Sequence, residues 1–149
     1  MIAVLQRVSQ ARVEVERQVT GQIGAGLLVL LGVETGDTEQ DSQYLADRVV
    51  GLRVFPDSVQ KMNCSLIDVG GSMLVVSQFT LAANVTRGRR PSFDGAAVPQ
   101  LANLLYEHFI RCVRGTGVWV ETGIFQARMS VTSTNEGPVT FICRSKPRS

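Results

Sequence analysis

The sequence predicts an α+β fold: a strongly curved, barrel-like β-sheet with two main helices laid over it as lids. Two observations predict it. About seven runs of strand length and composition are spread along the chain, and only two stretches change to a helical period. Many strands with few helices favour a sheet that curls on itself and uses the helices as covers. No repeat, linker or low-complexity tract interrupts the 149 residues, so 1–149 is expected to be a single domain.

The elements follow in order. "IAVLQRV" (2–8) is rich in β-formers. "ARVEVERQVTGQIG" alternates, with Val13 and Val15 on one side and Arg12, Glu14 and Glu16 on the other, as a half-exposed strand before a turn does. "GLLVLLGV" (26–33) is continuously apolar and of strand length, which suits a strand buried on both faces. Then the period changes. Thr38 and Asp41 resemble a capping box, and Leu45, Val49 and Leu52 recur at helical spacing, predicting a helix over about 39–51. Pro56 and Asp57 mark a turn. After Gly70-Gly71, Met73 to Thr80 reads as a second buried strand. A second helix starts near Pro99, with Leu101, Leu104, Leu105, His108, Phe109, Cys112 and Val113 on one stripe, and Gly115 and Gly117 stop it. "VWVETGIF", "RMSVTST" and "VTFICRS" complete the strands. Between the last two, Asn135-Glu136-Gly137-Pro138 reads as a hairpin turn on turn chemistry alone.

With 44% hydrophobic and 19% charged residues the composition is that of an ordinary globular domain, and disorder is not expected. Cys64, Cys112 and Cys143 are odd in number, far apart and form no CxxC, which argues for a reducing compartment and against a disulfide framework. The start, "MIAVLQRVSQ", lacks the features of a signal or transit peptide, and "GAGLLVLLGV" is too short to span a bilayer. A cytoplasmic protein is expected. The net charge of +2 is uninformative, but Arg87, Arg89 and Arg90 cluster in "TRGRRPSF", and Arg144, Lys146 and Arg148 cluster near the end. Each cluster reads either as a phosphate contact or as a solvated loop or tail.

Several chemistries are disfavoured. The single histidine, His108, lies on the apolar stripe of the second helix, where a packed, hydrogen-bonded histidine is commoner than a catalyst. A serine or cysteine nucleophile would have only that one base. No Cys/His group has zinc spacing. Asp37, Glu39 and Asp41 sit at a helix start, where the dipole accounts for them, and the rest of a calcium loop is missing. "GQIGAG" precedes a strand rather than a helix, so it cannot cradle a phosphate as a dinucleotide loop does. What remains is "VVSQFTLAA", where Ser77, Gln78 and Thr80 interrupt an apolar strand. Either they are presented to a ligand by a rigid scaffold, or they bond to backbone as the strand leaves the core.

"SQFTLAA" (77–83) together with "NEGPVT" (135–140) resembles the paired signature of D-aminoacyl-tRNA deacylases, the D-Tyr-tRNA deacylase family. The resemblance covers essentially the whole chain: "AVLQRVSQARVEV", "GLLVLLGV" and "GRRPSF" also match in order. Ala82 stands where a larger residue such as tyrosine is often found, and Glu136 where aspartate is common. The Gly137-Pro138 pair is contiguous, as in the D-specific branch. The resemblance implies a deacylase-like α+β fold and hydrolysis of the ester between a D-amino acid and the 3′-terminal adenosine of tRNA, with glycine removed as well. It implies a homodimer with active sites at its interface, aminoacylated tRNA as partner, no membrane, and no metal or other cofactor.

It also implies roles for residues. Gly137-Pro138, cis in the family, would reach into the opposite subunit's site and reject L-amino acids by collision with rigid backbone carbonyls, a means of excluding the wrong partner. Glycine, without a side chain, would pass. Arg7, in the matching "QRV", would brace that loop; its other reading is an ordinary outward-facing arginine. Ser77, Gln78, Phe79 and Thr80 would form the catalytic segment. Thr80 lacks an evident base, so backbone N–H groups near Phe79 and Thr80 are expected to stabilise the oxyanion while the ribose 2′-hydroxyl helps to activate or orient water. Gln78 would fix the adenosine or the amino acid, and Phe79 would pack on the base or in the core. Arg87, Arg89 and Arg90 would meet acceptor-stem phosphates. The alternatives are a non-catalytic tRNA-binding dimer and an interaction domain without RNA.

Overall fold

The apolar run Gly26–Gly32 forms the middle of the sheet, and its two faces are buried in different ways. In the computed structural model, which describes residues 1–146, this strand is β3. Leu27, Val29 and Leu31 belong to a large core under the helices, with Leu5, Leu45, Val49, Met73, Val75 and Phe109. Leu28 belongs to a second cluster, with Val8, Val13, Ile23, Leu74 and Val76. Each such side chain contributes about 1.5–3 kcal/mol when fully removed from water, so a strand that is apolar at successive positions is held from both sides.

Around it the chain order is β1 (Ile2–Val15), β2 (Gln18–Ile23), β3, α1 (Glu39–Gly51), β4 (Phe55–Pro56), β5 (Met62–Cys64), β6 (Ser72–Ser77), a 3-10 turn (Phe79–Ala82), α2 (Pro99–Gly115), β7 (Val120–Thr122) and β8 (Ser130–Arg144). β1 is long enough to pair with β3 through residues 2–8 and with β2 through residues 11–15. β8 pairs antiparallel along its other edge. β3, β6 and β7 run parallel, and β7 comes against β2, so the mixed sheet nearly closes into a barrel. The α+β expectation holds.

The helices bear out most of their prediction. α1 spans 39–51, and the Thr38 N–H donates to the Asp41 carboxylate at 2.8 Å. Burial pushes the Asp41 carboxyl up, but bonds from Thr38, Ser145 and Lys146 outweigh it and hold it at about 2. α2 begins at Pro99, which loses nothing at a first turn whose N–H groups have no helical partner. Its buried face differs from the expected stripe: Leu105, Tyr106, Phe109, Ile110 and Val113 are inside, whereas Leu104 is 50% exposed. The helix packs against β6 as well as α1, and the Tyr106 hydroxyl donates to the Val75 carbonyl at 3.2 Å. Leu104 falls outside the arc these two contacts cover. Among the described residues no helix is long and apolar enough to cross a membrane.

Two elements differ more. β6 stops at Ser77, and Phe79–Ala82 coil into a 3-10 turn rather than extending the strand to Thr80. "NEGPVT" is not a hairpin turn. It lies inside one continuous strand, β8, whose partner along its whole length is β1. The small β4–β5 hairpin beyond Pro56 was not expected.

Candidate active site

β6 carries the "SQFT" segment to the end of the sheet. Ser77 is its last residue and pairs with Leu31. The Gln78 N–H still donates to the Leu31 carbonyl at 2.8 Å, and the chain then turns, with the Leu81 N–H on the Gln78 carbonyl at 3.2 Å. Gly32 makes this turn possible. A Cβ there would lie 2.9 Å from the Leu81 Cβ and 3.1 Å from the Gln78 carbonyl oxygen, so only glycine lets the turn settle on the end of β3.

At the start of the 3-10 turn the N–H groups of Phe79 and Thr80 have no backbone acceptor among the described residues. The Gln78 carboxamide donates to the Thr80 hydroxyl. Thr80 is exposed, as is Phe79 at 57%, and the Phe79 ring lies 5.1 Å, centroid to centroid, from Phe93.

Ser77, Gln78 and Phe79 line a cavity of about 630 Å³. Its other walls are mostly apolar: Val33 and Val76 at the sheet end, Ala97 and Ala102 at the start of α2, and Phe125 and Met129 from the loop before β8. The size falls within the range of ligand sites, ~300–1,000 Å³. A depression by Gln10, Arg12 and Thr134 encloses only about 20 Å³, room for one water.

The second signature is elsewhere in the chain. Along β1 and β8 the pairing runs Gln6↔Thr140 and then Val8↔Asn135. Arg7 alone therefore faces four residues, Glu136 to Val139, which bulge out of the strand. The Gly137-Pro138 peptide bond is cis. Glu136, Gly137 and Pro138 are exposed, while Val139 is buried and anchors the bulge. Arg7 holds it from beneath: Nε donates to the Glu136 carbonyl at 3.2 Å, and Nη1 to the Val54 carbonyl at 2.8 Å. Arg7 is thus a brace and not an outward-facing charge. No side chain among the described residues donates to the carbonyls of Gly137 or Pro138.

Within one chain these two groups stay apart. Arg7, Gly137, Pro138 and Thr80 do not line the cavity. Arg87, Arg89 and Arg90 are exposed on a loop tied at its base by Asn84 and Ser92, and Phe93 at its foot enters the cavity wall. The basic cluster near the end has another use. Lys146 donates to Asp37 at 3.3 Å and lies 3.3 Å from Asp41, so its charge is spent within the chain. Arg148 lies outside the described residues.

His108 is packed between the two helices, as its place on the apolar stripe suggests. Its Nδ1 is 3.0 Å from the Ser42 hydroxyl between the two helices, and it does not reach the cavity. Burial pushes the nearby Cys112 thiol up, away from the thiolate form. Among the described residues no three His, Cys, Asp or Glu side chains converge to hold a metal ion. Sequence reasoning missed the cavity walls contributed by residues between 125 and 131, and it missed Gly32 and Val54. Only the spacing of glycine from an apolar run hinted at the first of these last two; the Val54 carbonyl left no signal.

The D-Tyr-tRNA(Tyr) deacylase family model matches residues 4–144. A D-aminoacyl-tRNA deacylase of Geobacter sulfurreducens is 57% identical over 149 residues, covering 100% of this chain and 98% of its own. One of Pelobacter propionicus is 58% identical over 142 residues, covering 95% and 98%. Among solved structures, a c-Myc DNA unwinding element binding protein superposes with a TM-score of 0.93 at 36% identity, over 99% of this chain and 100% of that one. A probable eukaryotic D-amino acid tRNA deacylase gives 0.82 at 19% identity, over 95% and 97%, a likeness of fold alone.

Proposed function

The chain belongs to the D-Tyr-tRNA(Tyr) deacylase family, and from that premise we propose that its two exposed signatures act together across a homodimer interface as a chirality-reading ester hydrolase. The chain is an enzyme, a D-aminoacyl-tRNA deacylase. The finer reading concerns how. The observation that carries it is the bulge of Glu136–Val139: a braced, exposed loop whose central carbonyls are free, in a chain whose cavity lies elsewhere. Such a loop serves a site it does not itself line, which is what a second copy of the chain supplies.

In this reading the cavity takes the terminal adenosine, with Phe79 against the base and Gln78 fixing the adenosine or the aminoacyl end. The Gly137 and Pro138 carbonyls of the other subunit face the substrate amine and Cα. An L side chain meets them, a D side chain points away, and glycine has nothing to exclude. Water attacks the ester carbonyl. The Phe79 and Thr80 N–H groups stabilise the oxyanion, and the C–O bond to the ribose breaks as the ribose oxygen takes a proton. Thr80 has no base to make it a nucleophile: its hydroxyl is bonded to Gln78, and His108 is tied to Ser42 between the helices, away from the cavity. The 2′-hydroxyl helps to orient the water. Arg87, Arg89 and Arg90 meet phosphates beside the cavity through the loop that ends at Phe93.

The test is to incubate the protein with D-Tyr-tRNA, L-Tyr-tRNA and Gly-tRNA. Cleavage of the D and glycyl esters with the L ester spared is expected. Equal rates for D and L would overturn the filter, and salt-sensitive tRNA binding without any cleavage would overturn the catalytic reading.

A further inference from the structure

We propose that Asn135 is a positioning residue for the Gly137-Pro138 loop, clamping the neck of the bulge from which that loop projects. The proposal rests on the reading of the loop as the chirality filter. A bulge of four residues opposite one is loose by construction, because the ladder bonds that would hold those four residues are interrupted. Arg7 holds only its first carbonyl, that of Glu136. On the return limb Val139 is anchored by packing, and its backbone N–H needs a partner of its own.

Asn135 holds this limb with both ends of its carboxamide. Its Oδ1 accepts from the Val139 N–H at 3.0 Å, closing a ring around Glu136, Gly137 and Pro138. Its Nδ2 donates to the Thr140 hydroxyl at 3.1 Å. That hydroxyl also accepts from the Gln6 carboxamide on β1 at 3.2 Å. The neck is therefore closed twice, once to backbone and once to a side chain that is itself tied to the neighbouring strand. Asparagine suits both bonds, because it offers an acceptor and a donor on one short, planar group. Aspartate keeps the first bond and loses the donor of the second. Serine is too short to span both.

The clamp lies on the exposed side of β8, away from both cores, with Thr140 exposed and Asn135 half-buried. Its loss is therefore expected to free the loop without unfolding the sheet. A misplacement of about 1 Å costs on the order of a hundredfold in rate, so the effect belongs on kcat and on D-over-L preference rather than on KM.

The experiment measures kcat and KM for D-Tyr-tRNA and L-Tyr-tRNA, with thermal unfolding alongside, for Asn135→Ala, Asn135→Asp, Thr140→Val, Thr140→Ser and Gly137→Ala. Asn135→Ala is expected to lower the D-over-L preference about ten- to a hundredfold, mainly through kcat. Asn135→Asp is expected to recover part of it, Thr140→Val to share the loss, and Thr140→Ser to retain the wild-type preference. If Asn135→Ala does not fold, Thr140→Val decides. If Gly137→Ala changes the preference and neither Asn135→Ala nor Thr140→Val does, the clamp is refuted and the filter stands. If none of the three changes it, the filter reading falls and the clamp with it.

Discussion

Replacing Gly137 by alanine tests the loop at its centre. Gly137 has φ +128°, in the region that L residues avoid. A Cβ there would lie 2.7 Å from Val139 Cγ2, 3.1 Å from Arg7 Nη2 and 3.3 Å from the Val139 nitrogen. The backbone term costs about 1–3 kcal/mol, and the crowding against buried Val139 about 1–3 kcal/mol more. Against this, the Arg7–Glu136 bond is charge-assisted and contributes about 1.5–3 kcal/mol, and the Asn135–Val139 bond about 0.5–1.5 kcal/mol. The two sides are of similar size, so the loop is expected to shift off its bonds while the sheet beneath stays folded. Deacylation of D-Tyr-tRNA should fall about a hundredfold, with L-Tyr-tRNA no longer spared by the same margin. The melting temperature should drop by no more than about 10 °C, at roughly 2–4 °C per kcal/mol for a chain of this size. A variant with wild-type rate, preference and melting temperature would refute the reasoning, because it would mean that the loop tolerates both the conformation and the contact.

Thr80→Ala should retain substantial deacylase activity, since it leaves the N–H groups of Phe79 and Thr80 in place; a loss of several orders of magnitude in single-turnover rate would make Thr80 the nucleophile. Replacing Arg87, Arg89 and Arg90 together by alanine should weaken tRNA binding for all tRNAs alike and reduce the slope of log affinity against log salt by about 2–3; an unchanged slope in a filter-binding titration would remove them from the interface. Asp41→Asn should flatten acid unfolding. The folded-state pKa of Asp41 is lowered to about 2, so its contribution is present above the unfolded value near 3.8 and is lost as pH falls toward 2. Wild type and variant should therefore converge in stability below pH 2, and parallel curves from pH 4 to pH 2 would contradict the assignment.

Much of the fold was legible because one physical rule produced each signal. A strand buried on both faces must be apolar at every position, and "GLLVLLG" is. A helix needs a partner for its first N–H groups, and Thr38 with Asp41 announced one at the observed residue. Where two rules competed, the reading missed. Leu104 repeats at helical spacing yet faces solvent, because the arc that is buried depends on what α2 packs against. Lys146 read either as a phosphate contact or as part of a solvated tail, and the fold instead brings it to Asp37 and Asp41, more than a hundred residues away along the chain.

The candidate site divides in the same way. The sequence by itself singled out the residues proposed for the chemistry, because two short signatures carry the family resemblance: Ser77 to Thr80 at a strand end, and the Gly137-Pro138 pair with Arg7 among apolar neighbours. It also determined that β3 would be buried on both faces. Only the tertiary structure decided that the expected Asn135–Pro138 hairpin is instead a bulge of Glu136–Val139 within one strand. Both conformations suit Gly and Pro equally, and the choice is made by β1, which lies more than a hundred residues earlier and offers a single continuous edge to both limbs. Pairing with that edge aligns the two limbs into one strand, leaves four residues facing Arg7 alone, and pushes Gly137 and Pro138 into solvent, where a turn residue becomes a group that another molecule can meet.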